Sequence, residues 1–370
     1  MRLVRKILHS INARRHRVGQ RGTFLDRSRG PDEPASHGTQ QVRYIVYGAG
    51  SIGGVIAAGL FEQGCAVTVI ARGDHLSAIQ RSGLTIESPL GSVTLPVLAV
   101  GHPSEIAFQP SADIVLLATK TQDSAQALDD LRRAAGPEIP VLCLQNGVES
   151  ARIALRRFER VGGAMTLLLS SHLQAGVVQS FSAPIPGIVD VGRLPAGEDP
   201  FVGRVAVDLR RAGFLSEVRL DILRWQYGKL IRNLKNALQA LCGPDADYRD
   251  LAAELRREAE SCYRAAGIAY ASESEMRNRA RGVFKPGMIN GAGRPGDSSW
   301  QSLARGTGSI ETDFLNGEIV LLGRLHGVPT PLNARLQDLA NRFALERRPP
   351  AKLSVDEVHQ LLRVSRSNSG

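Results

Sequence analysis

A glycine-rich turn between an apolar strand-like run and a helical pattern is the feature that most constrains this chain. Residues 42–47 include three β-branched side chains, and residues 52–63 are an apolar, helix-like segment that ends before a glycine. The residues of the turn are Gly48, Ala49, Gly50, Ser51, Ile52 and Gly53. In dinucleotide-binding folds, such glycines permit the tight bend, the approach of the backbone to a pyrophosphate, and close helix–strand packing. We therefore predict that this turn binds a dinucleotide; the alternative is a glycine-rich turn without a ligand.

The rest of the chain alternates strand-like and helical patterns up to about residue 219 and is almost entirely helical afterwards. Such alternation favours a parallel sheet that helices cover on both faces. Strands are predicted at 66–71, 84–87, 92–99, 113–119, 141–144, 166–170, 177–181 and 188–191, and helices at 74–81, 121–134, 201–212 and 225–241. The fold class predicted is α/β, with an N-terminal Rossmann-type dinucleotide-binding domain followed by an all-α C-terminal domain.

Composition shifts along the chain predict its domain boundaries. Residues 1–41 are basic, and residues 12–41 are polar and without periodicity, so we interpret residues 1–41 as a disordered N-terminal extension. The predicted Rossmann domain spans residues 42–219 and the predicted helical substrate domain spans 220–350. A C-terminal helix and tail are predicted over 351–370.

The end of the second predicted strand indicates which dinucleotide binds. NAD-binding folds usually carry an acidic residue there, which bonds the ribose 2′-hydroxyl. This strand ends instead with Ala71 and Arg72, and a guanidinium suits a 2′-phosphate. Lys120, which follows the predicted strand 113–119, is a second candidate phosphate contact; the alternative is a solvated loop lysine. We therefore predict NADP (NADPH) as the cofactor.

Two later segments carry candidate catalytic groups. In a helix over 225–241, Lys229, Asn233 and Asn236 fall along one stripe, which offers a proton donor and two positioning amides. Further on, Ser299 could bond a substrate carboxylate, and Glu311 could accept a proton or bond a hydroxyl. The alternatives are an ordinary solvated helix face for the first segment and a serine-capped surface helix for the second.

Taken together, these segments closely resemble the ketopantoate reductase family. The matching blocks occur in the family's order between about residues 43 and 345. They are Gly48-Ala49-Gly50-Ser51-Ile52-Gly53, Gln145-Asn146-Gly147, Lys229-Leu230-Ile231-Arg232-Asn233, Ser298-Ser299, Ile310-Glu311 and Asn316-Gly317. The resemblance implies a Rossmann domain, a helical domain and an active site in the cleft between them, where NADPH reduces a 2-oxo acid, most simply 2-dehydropantoate.

The resemblance also implies roles for residues that match the family's motifs. Lys229 is similar to the family's catalytic lysine, the general acid for the new hydroxyl. Asn233 and Ser299 are similar to substrate-binding residues, and Asn146 to an asparagine beside the nicotinamide and substrate. Asn236 is a further candidate for substrate binding.

Three more positions carry over to the cofactor. Glu311 is similar to the family's glutamate that bonds the substrate hydroxyl and the cofactor ribose. Arg72 and Lys120 are similar to the basic pair that recognises NADP.

The chain departs from the family at three places near these blocks. Asn236 comes one residue early and is followed by Ala237 instead of proline, Leu303 stands where an aspartate is common, and Trp300 replaces a smaller side chain. We expect these changes to alter the pocket more than the reaction class. A reductase for another branched or aromatic 2-oxo acid, or a noncatalytic NADP-binding sensor, therefore remains as an alternative.

Charge and composition narrow the partners. The net charge is +10, but the nine basic and three acidic residues of 1–40 supply +6 of it. With 5% aromatic residues and no long apolar run, we expect no nucleic-acid or membrane partner. The four cysteines lack zinc-site spacing, so no metal is expected.

The basic N-terminus bears on where the protein works. We expect a cytoplasmic monomer or homodimer. The arginine-rich start also fits a mitochondrial transit peptide, which would place the protein in the mitochondrial matrix, or a mis-assigned start codon.

Overall fold

The structure, a computed structural model, describes residues 42–283 and 285–363. The predicted N-terminal extension and residues 364–370 lie outside this part. The described strands are β1 (Arg43–Tyr47), β2 (Ala66–Ile70), β3 (Leu84–Ser88), β4 (Gly91–Leu95), β5 (Leu98–Val100), β6 (Asp113–Leu117), β7 (Val141–Cys143), β8 (Val161–Leu168), β9 (Ser170–Gln174), β10 (Val177–Ser180) and β11 (Gly187–Arg193).

Helices join and follow these strands. They are α1 (Ser51–Glu62), α2 (Gly73–Ser82), α3 (Ser124–Ala135), α4 (Glu149–Leu155), α5 (Pro200–Arg211), α6 (Ile222–Asn233), α7 (Asn236–Cys242), α8 (Arg249–Ala265), α9 (Glu273–Ala280), α10 (Ser298–Ala304), α11 (Asn316–His326), α12 (Pro331–Leu345) and α13 (Val355–Arg363). Short 3₁₀ turns occur at Pro103–Glu105, Thr121–Asp123 and Glu311–Phe314. No helix in the described ranges is both long and apolar enough to cross a membrane.

The larger sheet has seven strands in the order β11-β8-β7-β6-β1-β2-β5. Strand β1 pairs in parallel with β2 on one side and with β6 on the other. β7 and β8 continue the parallel sheet beyond β6, while β11 runs antiparallel to β8. The residues of β6 are all buried, as expected for a strand covered on both faces. The predicted α/β class, with a helical C-terminal region, is confirmed.

A second sheet, which the sequence did not predict, has the order β4-β3-β10-β9. The β3–β4 hairpin is as predicted, but a single strand over 92–99 is wrong. That segment divides into β4 of the small sheet and β5 of the large one. Pro96 cannot donate a ladder hydrogen bond, and the Val97 N–H turns back to the Leu95 carbonyl at 2.8 Å.

The single helix predicted over 225–241 is also wrong, because α6 ends at Asn233 and α7 begins at Asn236. At the break, the Leu234 N–H bonds the Ile231 carbonyl at 3.4 Å, a tighter register than an α-helix. The side-chain amide of Asn316 donates to the Leu234 carbonyl at 3.1 Å. A side chain from α11 therefore stabilises the interruption, which local periodicity could not reveal.

The helices after residue 220 have their own apolar core, built from residues such as Leu238, Tyr263 and Phe343. Other residues of the same region, including Ile222 and Trp225, pack with the sheet. The described residues form one compact unit. The boundaries at 219/220 and 350/351 therefore stay predictions.

Candidate active site

A cleft of about 420 Å³ opens at the carboxyl ends of the central strands. It lies where β1 has β2 on one side and β6 on the other, the point at which strand order reverses and α/β folds bind ligands. The predicted cofactor residues that line it are Gly48, Ala49, Gly50, Ser51, Ile52, Arg72, Lys120, Asn146 and Glu311. The structure therefore brings this group of predicted residues together in one cleft.

The three motif glycines have different surroundings. Gly48 adopts φ +105°, and an added Cβ would lie 2.7 Å from the Ala118 backbone. A Cβ at Gly53 would lie 2.0 Å from the Gly48 carbonyl oxygen. At Gly50, by contrast, the nearest atom is Nδ1 of His172 at 3.8 Å, so the missing side chain leaves open space beside the cleft. This arrangement fits a phosphate-bearing group near Gly50 and close helix packing at Gly53.

An ion pair crosses the cleft between the sheet and the helical region. Nζ of Lys120 lies 2.6 Å from Oε2 of Glu311, and the backbone and hydroxyl of Thr121 each donate to Oε1 at 3.1 Å. Burial alone would raise the pKa of Glu311, but Lys120 and the Thr121 hydrogen bonds hold it below its usual value. Glu311 is therefore an ionised acceptor in the cleft, and Lys120 is already paired.

Arg72 follows β2, and its guanidinium meets a carboxylate. Nη2 of Arg72 lies 2.9 Å from Oδ2 of Asp123, a residue of the 3₁₀ turn after β6. The Arg72 side chain is 74% exposed, so it stays accessible at the mouth of the cleft. A 2′-phosphate would therefore meet both a guanidinium and a neighbouring negative charge.

Lys229 lies on α6, and its Nζ donates to Oγ1 of Thr166 on β8 at 2.9 Å. The side chain is partly buried. Desolvation lowers the pKa of its amine to about 7, with attraction from Glu311 opposing the shift and repulsion from Arg232 adding to it. An amine that titrates near neutral pH can donate and accept a proton under working conditions. Lys229 is not among the residues that line the 420 Å³ cleft.

The predicted substrate residues contain unsatisfied polar atoms. Nδ2 of Asn233 and the hydroxyls of Ser298 and Ser299 are buried and have no hydrogen-bond partner in the described structure. Ser298 lines the cleft, Ser299 is 2% exposed, and Asn236 begins α7 and is 7% exposed. Buried polar groups without partners are costly, so these atoms fit a polar ligand that bonds them.

Two histidines in the cleft were not predicted from the sequence. The ring of His75 accepts from the Gly176 N–H at Nδ1 (2.9 Å), and its Nε2 lies 2.8 Å from the Ala49 carbonyl, which defines a neutral ring. Its centroid lies 4.1 Å from that of His172. Burial, with repulsion from His75 and Arg305, lowers the pKa of His172 to about 3. The local sequence pattern does not mark either residue. His172 belongs to the unexpected second sheet, and the partners of His75 are distant in the sequence.

Trp300 and Leu303, which differ from the family pattern, pack in the core of the helical region. Leu303 is 3% exposed. Neither is among the residues lining the cleft in the described structure. No cluster of three or more potential metal ligands occurs in the same residues.

The fold and the cleft define a Rossmann-type dinucleotide-binding protein with a helical C-terminal region. Family models agree with this class: the ketopantoate reductase PanE/ApbA model matches residues 44–195, and its C-terminal counterpart matches residues 221–344. These matches span most of the chain, so the chain belongs to the ketopantoate reductase family. The family predicted from the sequence motifs is confirmed.

The similarity to two named relatives extends over nearly their whole length. The 2-dehydropantoate 2-reductase of Mesorhizobium japonicum is 30% identical over 338 residues, which cover 83% of this chain and 99% of that protein. The 2-dehydropantoate 2-reductase of Pyrococcus horikoshii is 28% identical over 301 residues, which cover 79% and 94%.

Solved structures share the fold. A PanE/ApbA family ketopantoate reductase from Ralstonia eutropha has a TM-score of 0.69 at 26% identity, covering 83% of this chain and all of that one. A D-mandelate dehydrogenase with NADH and anilino(oxo)acetate has the same TM-score at 21% identity, covering 86% of this chain and all of that one.

Proposed function

We propose that this protein reduces 2-dehydropantoate to pantoate with NADPH. The amine of Lys229 is the observation that carries the proposal, because its desolvated position and pKa of about 7 suit a general acid at neutral pH. Family membership and two relatives named 2-dehydropantoate 2-reductase support the same substrate. The chain's own residues then divide into a cofactor set and a substrate set.

The cofactor set surrounds the glycine-rich turn. Residues Gly48 to Gly53 form the phosphate-binding turn, with open space at Gly50 for the backbone to approach the pyrophosphate. Arg72 reads the 2′-phosphate, which gives the NADPH preference, and Lys120 assists while it holds Glu311. Glu311 accepts a hydrogen bond from the cofactor ribose and the substrate hydroxyl. Asn146 lies beside the nicotinamide.

The substrate set positions the 2-oxo acid and delivers a proton. When bound, the nicotinamide supplies hydride to the carbonyl carbon. Lys229 gives the proton on its Nζ to the carbonyl oxygen, and Thr166 holds that amine in place. Asn233, Asn236 and Ser299 bind the substrate, and the unpartnered Nδ2 of Asn233 and Oγ of Ser299 gain partners there. The hydrogen bonds they form stabilise the developing alkoxide and orient the carboxylate.

The two alternatives, another keto acid as substrate and a noncatalytic sensor, have less support. Trp300 and Leu303 differ from the family pattern, which would favour a bulkier keto acid if they lined the pocket, but both pack in the helical core. A noncatalytic sensor would need neither a lysine amine with a pKa near neutral pH nor the unpartnered polar groups of Asn233 and Ser299. Reduction of 2-dehydropantoate is therefore the function that the site supports best.

The test is NADPH oxidation, followed by absorbance, with a panel of 2-oxo acids that includes 2-dehydropantoate. We expect the highest kcat/KM with 2-dehydropantoate and NADPH. Preferred turnover of an aromatic or bulkier keto acid would contradict the substrate. Tight NADPH binding with no turnover of any keto acid would instead identify a sensor.

A further inference from the structure

Arg305 is a charged residue of the cleft that the proposed function does not use. It lies at the carboxyl end of α10, directly after the helix that carries Ser299. Its Nη1 donates to the His172 carbonyl at 3.0 Å. Nδ1 of the same histidine is the atom nearest to the open side of Gly50. Arg305 therefore links the helical region to β9, whose His172 ring is the group nearest to Gly50 of the glycine-rich turn.

The charges of the cleft leave Arg305 without a partner. Five formally charged side chains line it in the described structure, and four of them form the pairs Lys120–Glu311 and Arg72–Asp123. No described carboxylate lies within ion-pair distance of the fifth, Arg305. Burial lowers the pKa of its guanidinium, and only the more distant attraction of Glu311 opposes this. A partly buried, unpaired cation in a binding cleft is costly unless a ligand anion offsets the desolvation.

The two histidines beside the glycine-rich turn supply no positive charge. Two ring hydrogen bonds hold His75 neutral, and burial holds His172 neutral. A guanidinium has five N–H donors, of which one is used on the His172 carbonyl. The remaining donors match the oxygens of a phosphate, with which arginine forms paired hydrogen bonds.

We propose that Arg305 binds the pyrophosphate of the dinucleotide opposite the glycine-rich turn. The inference rests on the proposed cofactor, and it gives that cofactor a contact from the helical region as well as from the sheet. Since Arg305 directly follows α10, the same contact ties the Ser299 helix to the bound cofactor. Arg305 and Arg72 then have separate tasks: Arg305 binds the group common to NADPH and NADH, and Arg72 binds the group that distinguishes them.

The experiment compares dissociation constants of the full chain and its variants for NADPH, NADH and adenosine 2′-monophosphate, measured by calorimetry. Arg305→Ala removes the cation. Arg305→Gln also removes the cation but keeps an N–H donor for the His172 carbonyl, so this structural contact can be retained. Arg324→Ala, at an exposed arginine near the end of α11, is the matched control. Thermal unfolding of each variant checks that it is folded.

We expect Arg305→Ala and Arg305→Gln to weaken the binding of NADPH and of NADH by the same factor. The factor should be roughly 10–100-fold, as for the loss of a hydrogen-bonded ion pair. Binding of adenosine 2′-monophosphate, which lacks a pyrophosphate, should not change. The inference is overturned if folded variants keep wild-type affinity, if NADPH alone is weakened, or if only the KM of the keto acid rises. A wild-type chain that binds neither dinucleotide would overturn the proposed function as well.

Discussion

The most consequential single residue is Lys229, whose surroundings set its chemistry. Desolvation lowers the pKa of its amine to about 7, while Thr166 fixes its position. Lys229→Ala should reduce kcat by roughly 10²–10⁴-fold, the usual contribution of a general acid, and leave the dissociation constant of NADPH unchanged. Lys235→Ala, at an exposed lysine in the turn between α6 and α7, is the control and should retain activity.

The same amine predicts how the reaction depends on pH. Reduction needs the protonated form, and a lowered pKa means that the proton is lost near pH 7 instead of near 10.5. The kcat/KM for reduction should therefore be highest below about 7 and fall about tenfold per pH unit above it. Initial rates across a buffer series measure this. A constant rate up to pH 10.5 would show that another group donates the proton.

The proposed preference for NADPH also rests on a single residue. Arg72 is exposed at the mouth of the cleft and is held by Asp123 at 2.9 Å. Arg72→Ala should weaken NADPH binding by roughly 10–100-fold, as expected for the loss of a hydrogen bond to a charged group. The binding of NADH should change little. Arg81→Ala, at an exposed arginine near the end of helix α2, is the control. An unchanged ratio of NADPH to NADH dissociation constants would rule out Arg72 as the 2′-phosphate contact.

At the scale of elements, glycines in the turn between β1 and α1 serve two purposes: Gly53 allows close packing, and Gly50 leaves space for the cofactor. An added Cβ at Gly53 collides with the Gly48 carbonyl, whereas one at Gly50 meets nothing closer than 3.8 Å. Gly53→Ala should therefore lower the free energy of unfolding by about 1–3 kcal/mol, the cost of overpacking. Gly50→Ala should keep that stability but weaken NADPH binding.

Urea unfolding and NADPH titration measure the two effects separately. Gly203→Ala is the control, because Gly203 lies within α5 and an added Cβ there would have no atom within 4 Å. That substitution should stabilise the protein by roughly 0.5–1 kcal/mol, the usual gain of alanine over glycine inside a helix. Equal losses of stability in Gly50→Ala and Gly53→Ala would contradict the division of tasks.

At the scale of the whole molecule, the described fold and cleft lie within residues 42–363. Deleting residues 1–41 should leave kcat/KM and the NADPH dissociation constant unchanged, because the proposed site residues all lie after that segment. Steady-state assays of the truncated and full chains test this. A loss of activity would assign the basic segment a part in catalysis or folding. The monomer or homodimer expected from the sequence stays a prediction, as does the cytoplasmic location.

Features that depend on neighbouring residues could be predicted from the sequence alone. A strand, three spaced glycines and an apolar helix predicted the dinucleotide-binding turn, and the alternation of patterns predicted the parallel sheet. The absence of a carboxylate after β2 pointed to Arg72 in the same local way. The strand–turn–helix unit and the parallel sheet are confirmed, because periodicity and turn chemistry act over a few residues, while the role of Arg72 stays a prediction.

Contacts between segments far apart in the sequence could be seen only in the folded structure. Glu311 meets Lys120 across 191 positions, Asn316 bonds the carbonyl at the break between α6 and α7, and β10 pairs with β3 in an unexpected sheet. The unpaired charge of Arg305 is visible only once the other cleft charges are seen to pair. The pKa of Lys229 depends on burial and charged neighbours, and the net charge of the cleft depends on which side chains form ion pairs. Both depend on residues that are far apart in the sequence.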